Sequence, residues 1–431
     1  MRRMKDSGIE WIGEIPEEWA VGRIKYNYYL KGRIGWQGLK ADEFTDDGPY
    51  LVTGTDFING TVNWSTCYHI SEERYAEAPE IHVKKGDLLI TKDGTVGKVA
   101  YVETKPEKVS LNSHLLIMRP FSLNYSNRFL FWIIQSPIFE KYFLLTQNGT
   151  IMASLSQEKI NNFSFPLPVY SVQLQLATYL DRKCAEIDAV IARQEAVIEK
   201  LKEYKLSLIT EAVTRGLNPD APLKDSGVEW IGEIPEHWSL LKLQTHTRML
   251  TPMRDKPEHL DGDIPWIRIE DYDGKYISKS KEGFGVSEET IQAMNLKIYP
   301  VGSVLCTSSC DLGKCAIVAK ELVSNQRFID IIPDSETSSD YLYYLMLSNA
   351  KRLNHLSTGT IQANLSRKAF EHLMVQFPPI EEQYKIAEYL DKKCSAINDA
   401  LAEKQSLIDH LTSYKKSLIY EVVTGKREVP A

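Results

Sequence analysis

The sequence predicts two α/β (α+β) modules, each followed by one long helix, with an internal pseudo-two-fold that pairs the two helices antiparallel as a coiled coil. Three observations carry this reading. A repeat the size of a whole module runs through the chain. Apolar residues recur at steps of three and four over two unusually long stretches. Short β-forming runs punctuated by turn and cap signals fill the rest of each repeat.

The repeat is read directly. Lys5–Trp19 (KDSGIEWIGEIPEEW) returns as Lys224–Trp238 (KDSGVEWIGEIPEHW). Gly86–Thr91 (GDLLIT) returns as Gly302–Thr307 (GSVLCT), each followed by Gly-Lys, at Gly97-Lys98 and Gly313-Lys314. GTIMASLS (149–156) faces GTIQANLS (359–366), and QLATYLDRKCAEID (175–188) faces YKIAEYLDKKCSAIN (384–398). Between Lys25 and Gly86, and between Lys242 and Gly302, the copies diverge widely. The expected organisation is a first module over 1–168, a first long helix over 169–216, a second module over 217–378, a second helix over 379–425 and a tail over 426–431.

Each module opens on an irregular Trp- and Pro-containing segment (Trp11, Pro16, Trp19; Trp230, Pro235, Trp238), whose indoles suit packing at an edge or junction. Asn59-Gly60 after Pro49–Val52, and Asp273-Gly274 after Pro265–Arg268, mark hairpins. Ser71-Glu72-Glu73 and Ser287-Glu288-Glu289 are N-caps with acidic first turns. Leu88-Leu89-Ile90 and Val304-Leu305-Cys306 read as buried strands. In the long helices the pairing positions are Ile187, Ile191, Ile198, Leu201 and Leu208, and Ile397, Leu401, Ile408, Leu411 and Leu418. Val197, Tyr204, Leu407 and Tyr414 share the period. The run RGLNPDAP (215–222) stops the first helix, and Thr424-Gly425 ends the second.

Composition sets bounds on function. No apolar run is long enough for a membrane span, and the basic start lacks an apolar segment behind it, so a cytoplasmic protein is expected. The net charge of −7 is unusual for a nucleic-acid binder, although basic groups can concentrate on one face. Cys306, Cys310 and Cys315 lack metal-ligand spacing and face Ile90, Gly94 and Val99 in the other copy, so no metal is expected. There is no P-loop, no dinucleotide-binding glycine motif and no base-gripping Asn/Asp-Pro-Pro-aromatic tetrapeptide, so no catalytic residue is assigned.

What remains is recognition chemistry. Lys92, Thr95 and Lys98 sit in a Gly-rich run with polar side chains for phosphate or base edges, and Ser308, Ser309 and Lys314 answer them in the second copy. Asn112 and His114, and Gln326 and Arg327 after Asn325, offer amide, imidazole and guanidinium groups to bases. Arg33, Gln37 and Lys40 beside Trp36, and Arg254, Arg268 and Lys275, form polar patches in the divergent segments, next to Arg248 and Lys256.

The order E-W-I-G-E-I-P-x-x-W, a variable segment, G-T-I-x-A-x-L-S, and then Gln with A-x-Y-L-D, all repeated, resembles the specificity subunit of Type I restriction–modification systems. Pro378–Gln383 resembles the family's usual run into its helix. The first copy, Pro166-Leu167-Pro168 with Gln173, departs mildly. The resemblance implies a non-catalytic chain whose two target-recognition domains each read half of a bipartite, asymmetric site in double-stranded DNA. It implies that the helices act as an antiparallel spacer and dock two modification (methyltransferase) subunits, and that motor-nuclease restriction subunits join for cleavage. S-adenosylmethionine, ATP and Mg then belong to the partners, with no cofactor bound by this chain and no membrane partner. The residues alone leave one other class open, a coiled-coil adaptor with two peptide-reading domains. Salt dependence of DNA binding separates the two.

Overall fold

The two periodic stretches fold into helices Tyr170–Arg215, of 46 residues, and Ile380–Val423, of 44 residues, in a computed structural model that describes residues 2–33, 39–146, 155–252, 255–309, 312–356 and 365–430. The chain forms two compact units, Met1–Gln194 with Ser406–Ala431, and Glu195–Gln405. Each unit therefore contains one module and a part of both helices.

Within the first unit, Leu176, Leu180, Cys184 and Ile187 of the first helix share a core with Leu418, Ile419, Val422 and Val423 of the second. Gln175 Nε2 donates to the Pro430 carbonyl at 2.9 Å, and Lys415 Nζ to the Asp188 carboxylate at 2.6 Å. Partner numbers fall as helix numbers rise, so the pairing is antiparallel. Within the second unit, Ile209, Ala212 and Val213 pack with Ile386, Leu390 and Cys394, and Lys205 Nζ donates to Asn398 Oδ1 at 2.7 Å.

The expected pairing positions are all withdrawn from solvent. Ile187, Ile198, Ile397, Ile408 and Leu418 are buried, and Ile191, Leu201, Leu208, Leu401 and Leu411 are half-buried. Val197, Tyr204, Leu407 and Tyr414 are exposed. A two-helix contact covers a narrower stripe than a helix lying on a sheet, and these four fall outside it.

Each helix stops at a glycine in the left-handed region, Gly216 (φ 74°) and Gly425 (φ 71°), where a side chain would strain the backbone. Both stops also need the missing Cβ for packing. A Cβ on Gly216 would lie 3.1 Å from the Trp238 ring, and one on Gly425 would lie 2.5 Å from Pro16 and 3.0 Å from Trp19. The repeated Pro-x-x-Trp therefore covers a helix end in each unit. Trp11 Nε1 donates to the Ser164 carbonyl at 3.0 Å, whereas Trp230 is exposed with the Arg352 guanidinium 3.9 Å over its ring.

In the first module Leu88–Thr91 lies between Val99–Tyr101 and Leu115–Pro120, and Tyr28–Gly32 completes an antiparallel sheet. A smaller sheet pairs Phe44–Val52 with Tyr68–Ile70 and, in parallel, with Val109–Leu111. The second module repeats this with Val304–Thr307 between Cys315–Val318 and Phe328–Pro333, and Thr247–Leu250 at one edge. Ile264–Ile267 pairs in parallel with Val323–Ser324. Ile90 faces Val99 as Cys306 faces Cys315, so both described cysteines of that trio occupy buried apolar places, and burial pushes the Cys306 thiol well up. Cys310 lies outside the described residues.

Ser71 and Ser287 cap their short helices, accepting from Arg74 N and Thr290 N. Asn59-Gly60 makes a hairpin between Phe57–Ile58 and Thr61–Val62, with φ of 49° and 77° at the turn. Asp273-Gly274 does not. Gly274 turns the chain at φ 94°, but Tyr276–Ile277 then pairs in parallel with Cys315–Val318. A dipeptide fixes the turn, while the strand takes the sheet edge that the core offers it.

Candidate nucleic-acid interface

In each module four backbone segments converge at one end of the large sheet, held by matching hydrogen bonds. Thr91 N donates to the Lys98 carbonyl and Thr307 N to the Lys314 carbonyl, both at 2.9 Å, closing the Gly-rich turn. The Thr91 hydroxyl also donates to the Thr95 carbonyl inside that turn. Lys92 N donates to the His114 carbonyl (3.0 Å) and Ser308 N to the Arg327 carbonyl (2.8 Å). Leu155 N donates to the Lys92 carbonyl and Leu365 N to the Ser308 carbonyl, both at 2.8 Å. Asn112 N donates to the Val52 carbonyl (2.9 Å) and Asn325 N to the Ile267 carbonyl (3.2 Å). The third segment is a tight turn made by Asn112 Oδ1 accepting from His114 N, and Asn325 Oδ1 from Arg327 N, each at 3.0 Å.

The fourth segment follows the small-sheet strand. Asp56 and Asp271 are buried, and each closes a one-turn helix by accepting from the backbone N–H three residues earlier, Thr53 at 2.8 Å and Arg268 at 2.7 Å. Asp56 also accepts from the Thr53 and Thr66 hydroxyls, and Asp271 from the Ser280 hydroxyl and Lys281 N. Sequence reasoning passed over both carboxylates, although an acid three residues after a strand end is a capping pattern.

At the tips of this frame the first module exposes Thr95 and His114, with Lys92, Lys98 and Asn112 half-buried. His114 Nδ1 lies 3.2 Å from Asp93, and Lys98 Nζ donates to the Gly54 carbonyl at 3.4 Å. The second module exposes Lys314 and Gln326, with Ser309 and Arg327 half-buried. Lys40 is exposed, on the approach to a short turn where its N–H donates to Glu43 at 2.8 Å. Gln37 and Arg254 lie outside the described residues, as do Trp36 and most of the two Gly-Thr-Ile motifs.

Four expected contacts have side chains that are buried or engaged within the fold. Arg33 is buried, its Nε donating to the Leu111 carbonyl (3.0 Å) and its Nη2 to Ser110 Oγ (2.9 Å). Burial, with Arg74 nearby, pulls its pKa below the usual guanidinium range. It ties the two sheets together. Ser308 is buried and serves through its backbone. Lys275 reaches Asp391 on the second helix (2.5 Å) and Asp340 (2.6 Å). Burial opposes its charge, but the two carboxylates outweigh that and hold its pKa above the ordinary lysine value. Arg268 is half-buried, 3.0 Å from Glu282 and 4.7 Å over the Phe284 ring. Arg33 and Lys275, cations beside aromatics read as surface patches, are internal braces. Among the described residues no cluster of His, Cys, Asp or Glu could hold a metal ion, and no helix is long and apolar enough to cross a membrane.

Two modules with one backbone frame and different tips, each joined to long helices, define a duplicated recognition protein. The sequence model described as the Type I restriction modification DNA specificity domain matches residues 34–200 and 250–407, so the chain belongs to that family and carries its domain twice. The chain is 24% identical over 430 residues to the putative type I restriction enzyme MjaX specificity subunit of Methanocaldococcus jannaschii, covering 97% of this chain and 96% of the relative. It is 22% identical over 422 residues to the EcoKI specificity subunit of Escherichia coli, covering 92% and 88%. A chain from a structure described as showing complex assembly and conformational transition of the type I R-M system shares the fold, with a TM-score of 0.72 at 13% identity over 96% of this chain and 99% of that one. The HsdS subunit of Thermoanaerobacter tengcongensis has a TM-score of 0.51 at 13% identity, over 96% and 98%.

Proposed function

We propose that each unit reads one half of a bipartite, asymmetric site in double-stranded DNA and that the helix pair sets the spacing and docks two modification (methyltransferase) subunits. The observation that carries this is the frame itself. The same backbone hydrogen bonds recur in both modules while the side chains at the tips change from Lys92, Thr95 and His114 to Ser309, Gln326 and Arg327. A conserved frame with exchanged tips suits two sequences read by one mechanism. Lys92, Lys98 and Lys314 suit phosphate, and Gln326 and Arg327 suit adenine and guanine edges in the major groove. Asn112 spends its carbonyl on the turn, so it positions His114.

On this reading the chain is non-catalytic and cytoplasmic and binds no cofactor. S-adenosylmethionine comes with the modification subunits, and ATP and Mg with the motor-nuclease restriction subunits. Gln326→Ala with Arg327→Ala, assembled with the modification subunits, is expected to relax one half of the methylated motif, with about 1–3 kcal/mol lost per bidentate contact. Motif sequencing that shows both halves changed equally, or neither, refutes the assignment.

A further inference from the structure

The turn after the small-sheet strand carries an inference that rests on this reading and goes past it. In the second unit it runs Arg268–Asp271, and Glu270 is its exposed tip. Asp271 anchors the turn through three hydrogen bonds from Arg268 N, Ser280 Oγ and Lys281 N. The turn stands beside the Asn325 turn, because Asn325 N donates to the Ile267 carbonyl at 3.2 Å. Glu270 therefore shares one rigid end of the module with Gln326 and Arg327.

An exposed carboxylate on a face that meets a polyanion is repelled by every phosphate within roughly 8–10 Å. The Arg268 guanidinium acts on it only through space and behind Glu282 and Asp271, since its direct contacts are Glu282 at 3.0 Å and the Phe284 ring. Among the described residues no side chain hydrogen-bonds the Glu270 carboxylate. A carboxylate in that setting is favourable when it accepts from a base. Of the major-groove donors, cytosine N4–H2 stands without an acceptor on its own base, whereas adenine N6–H2 sits beside N7, which repels a carboxylate. The equivalent position in the first unit is Thr55, also exposed, on a turn anchored in the same way by Asp56. The Thr55 hydroxyl, 2.7 Å from that of Thr53, and its methyl make a different reader on a similarly anchored turn.

We infer that Glu270 is a specificity-determining residue that selects a cytosine in the half-site read by the second unit, and that Thr55 holds the corresponding place for the first. The test assembles the full chain with its modification subunits and sequences the methylated motifs for wild type, Glu270→Ala, Glu270→Gln and Thr55→Ala. Glu270→Ala is expected to lower discrimination about 5- to 150-fold at one cytosine of one half-site, leaving the other half unchanged. Glu270→Gln is expected to move that position toward adenine. Thr55→Ala is expected to act only on the opposite half. A bipartite wild-type motif that Glu270→Ala and Glu270→Gln leave unaltered overturns this inference while leaving the two-module reading intact. Relaxation at a base other than cytosine, or in both halves, also overturns it. A wild-type motif that is not bipartite overturns the underlying reading instead.

Discussion

The two modules solve the same internal problem with opposite results. In the first, buried Asp87 meets Arg119 through two hydrogen bonds of 2.7 Å, and Arg119 also donates to the His82 carbonyl at 3.1 Å. In the second, Ser303 stands at the place of Asp87, and a carboxylate reappears on the next strand as Asp330, at the place of Ile117. Asp330 is fully buried and neither oxygen has a hydrogen-bond partner. Ser303 lies close, but its hydroxyl donates to the Pro300 carbonyl at 2.8 Å. Burial therefore dominates and pushes the Asp330 pKa up to about 7. The frame depends on backbone ladders and apolar packing, so one module keeps a satisfied charge and the other tolerates an unsatisfied acid.

The largest effect is expected from breaking the satisfied pair. Arg119→Ala leaves Asp87 buried with only the Lys84 N–H as partner, and removing one member of a buried pair costs about 3–5 kcal/mol. Arg119 is partly exposed, so the expected loss is about 2–4 kcal/mol, read as reduced hydrogen-exchange protection of Leu115–Pro120. If protection there is unchanged, the pair is not what holds that strand.

The converse prediction places the first module's solution in the second. Asp330→Ile is expected to stabilise the second unit by about 1–3 kcal/mol at pH 7.5 by removing an uncompensated buried polar group. The pH dependence has a defined sign. The folded pKa near 7 lies above the ordinary 3.8, so the folded state retains a proton that the unfolded state has lost. The associated stability is full below about pH 4, falls as pH rises toward 7, and is flat above. Hydrogen-exchange protection of Phe328–Pro333 should follow that curve in the wild type and lose this component in Asp330→Ile. A wild-type profile that rises between pH 4 and 7 would contradict it.

These internal braces also show where the sequence was legible. The Ser71 and Ser287 caps and the heptad-like positions depend on neighbours a few residues away, so local pattern finds them, and the Lys5–Trp19 repeat is read by laying one copy on the other. Gln173 and Gln383 stand at matching places in the two copies, and each spans the start of its helix by accepting from a backbone N–H, Ser126 or Ser338, at 2.8 Å. That role was not readable, because the partner is distant in sequence. Arg33 and Lys275 were misplaced for the same reason. A cation among aromatics has one sequence signature whether it faces DNA or a buried carbonyl, and only tertiary partners such as Leu111 or Asp391 decide between them. The tips were legible as a group, since the divergent and Gly-rich segments hold them. The turns anchored by Asp56 and Asp271 were not, since their equivalence shows only in the hydrogen bonds.

The smallest difference between the units lies where each module meets its own helix, at the repeated Tyr-Leu-Asp. Asp181 accepts from Arg128 Nε at 2.9 and 3.0 Å and from Trp132 Nε1 at 2.7 Å. Asp391 accepts from Lys275 Nζ at 2.5 Å and from the Tyr344 hydroxyl at 2.6 Å. The cations differ in what remains once the aspartate is gone. Lys275 keeps Asp340 at 2.6 Å, whereas Arg128 retains only the Tyr101, Phe131 and Trp132 rings at 4.6–6.0 Å, and its Nη1 is buried without a hydrogen-bond partner. Asp181→Ala is therefore expected to cost about 1–2 kcal/mol and Asp391→Ala about 0.5–1 kcal/mol, since both aspartates are partly exposed and solvent screens them. Urea unfolding of the two variants, with exchange protection read at Asn127–Ile134 and at Ser339–Ser348, measures both. Equal losses would show that Asp340 gives Lys275 no reserve. A larger loss for Asp391→Ala would mean that the Tyr344 hydroxyl, rather than the cation, ties the second module to its helix.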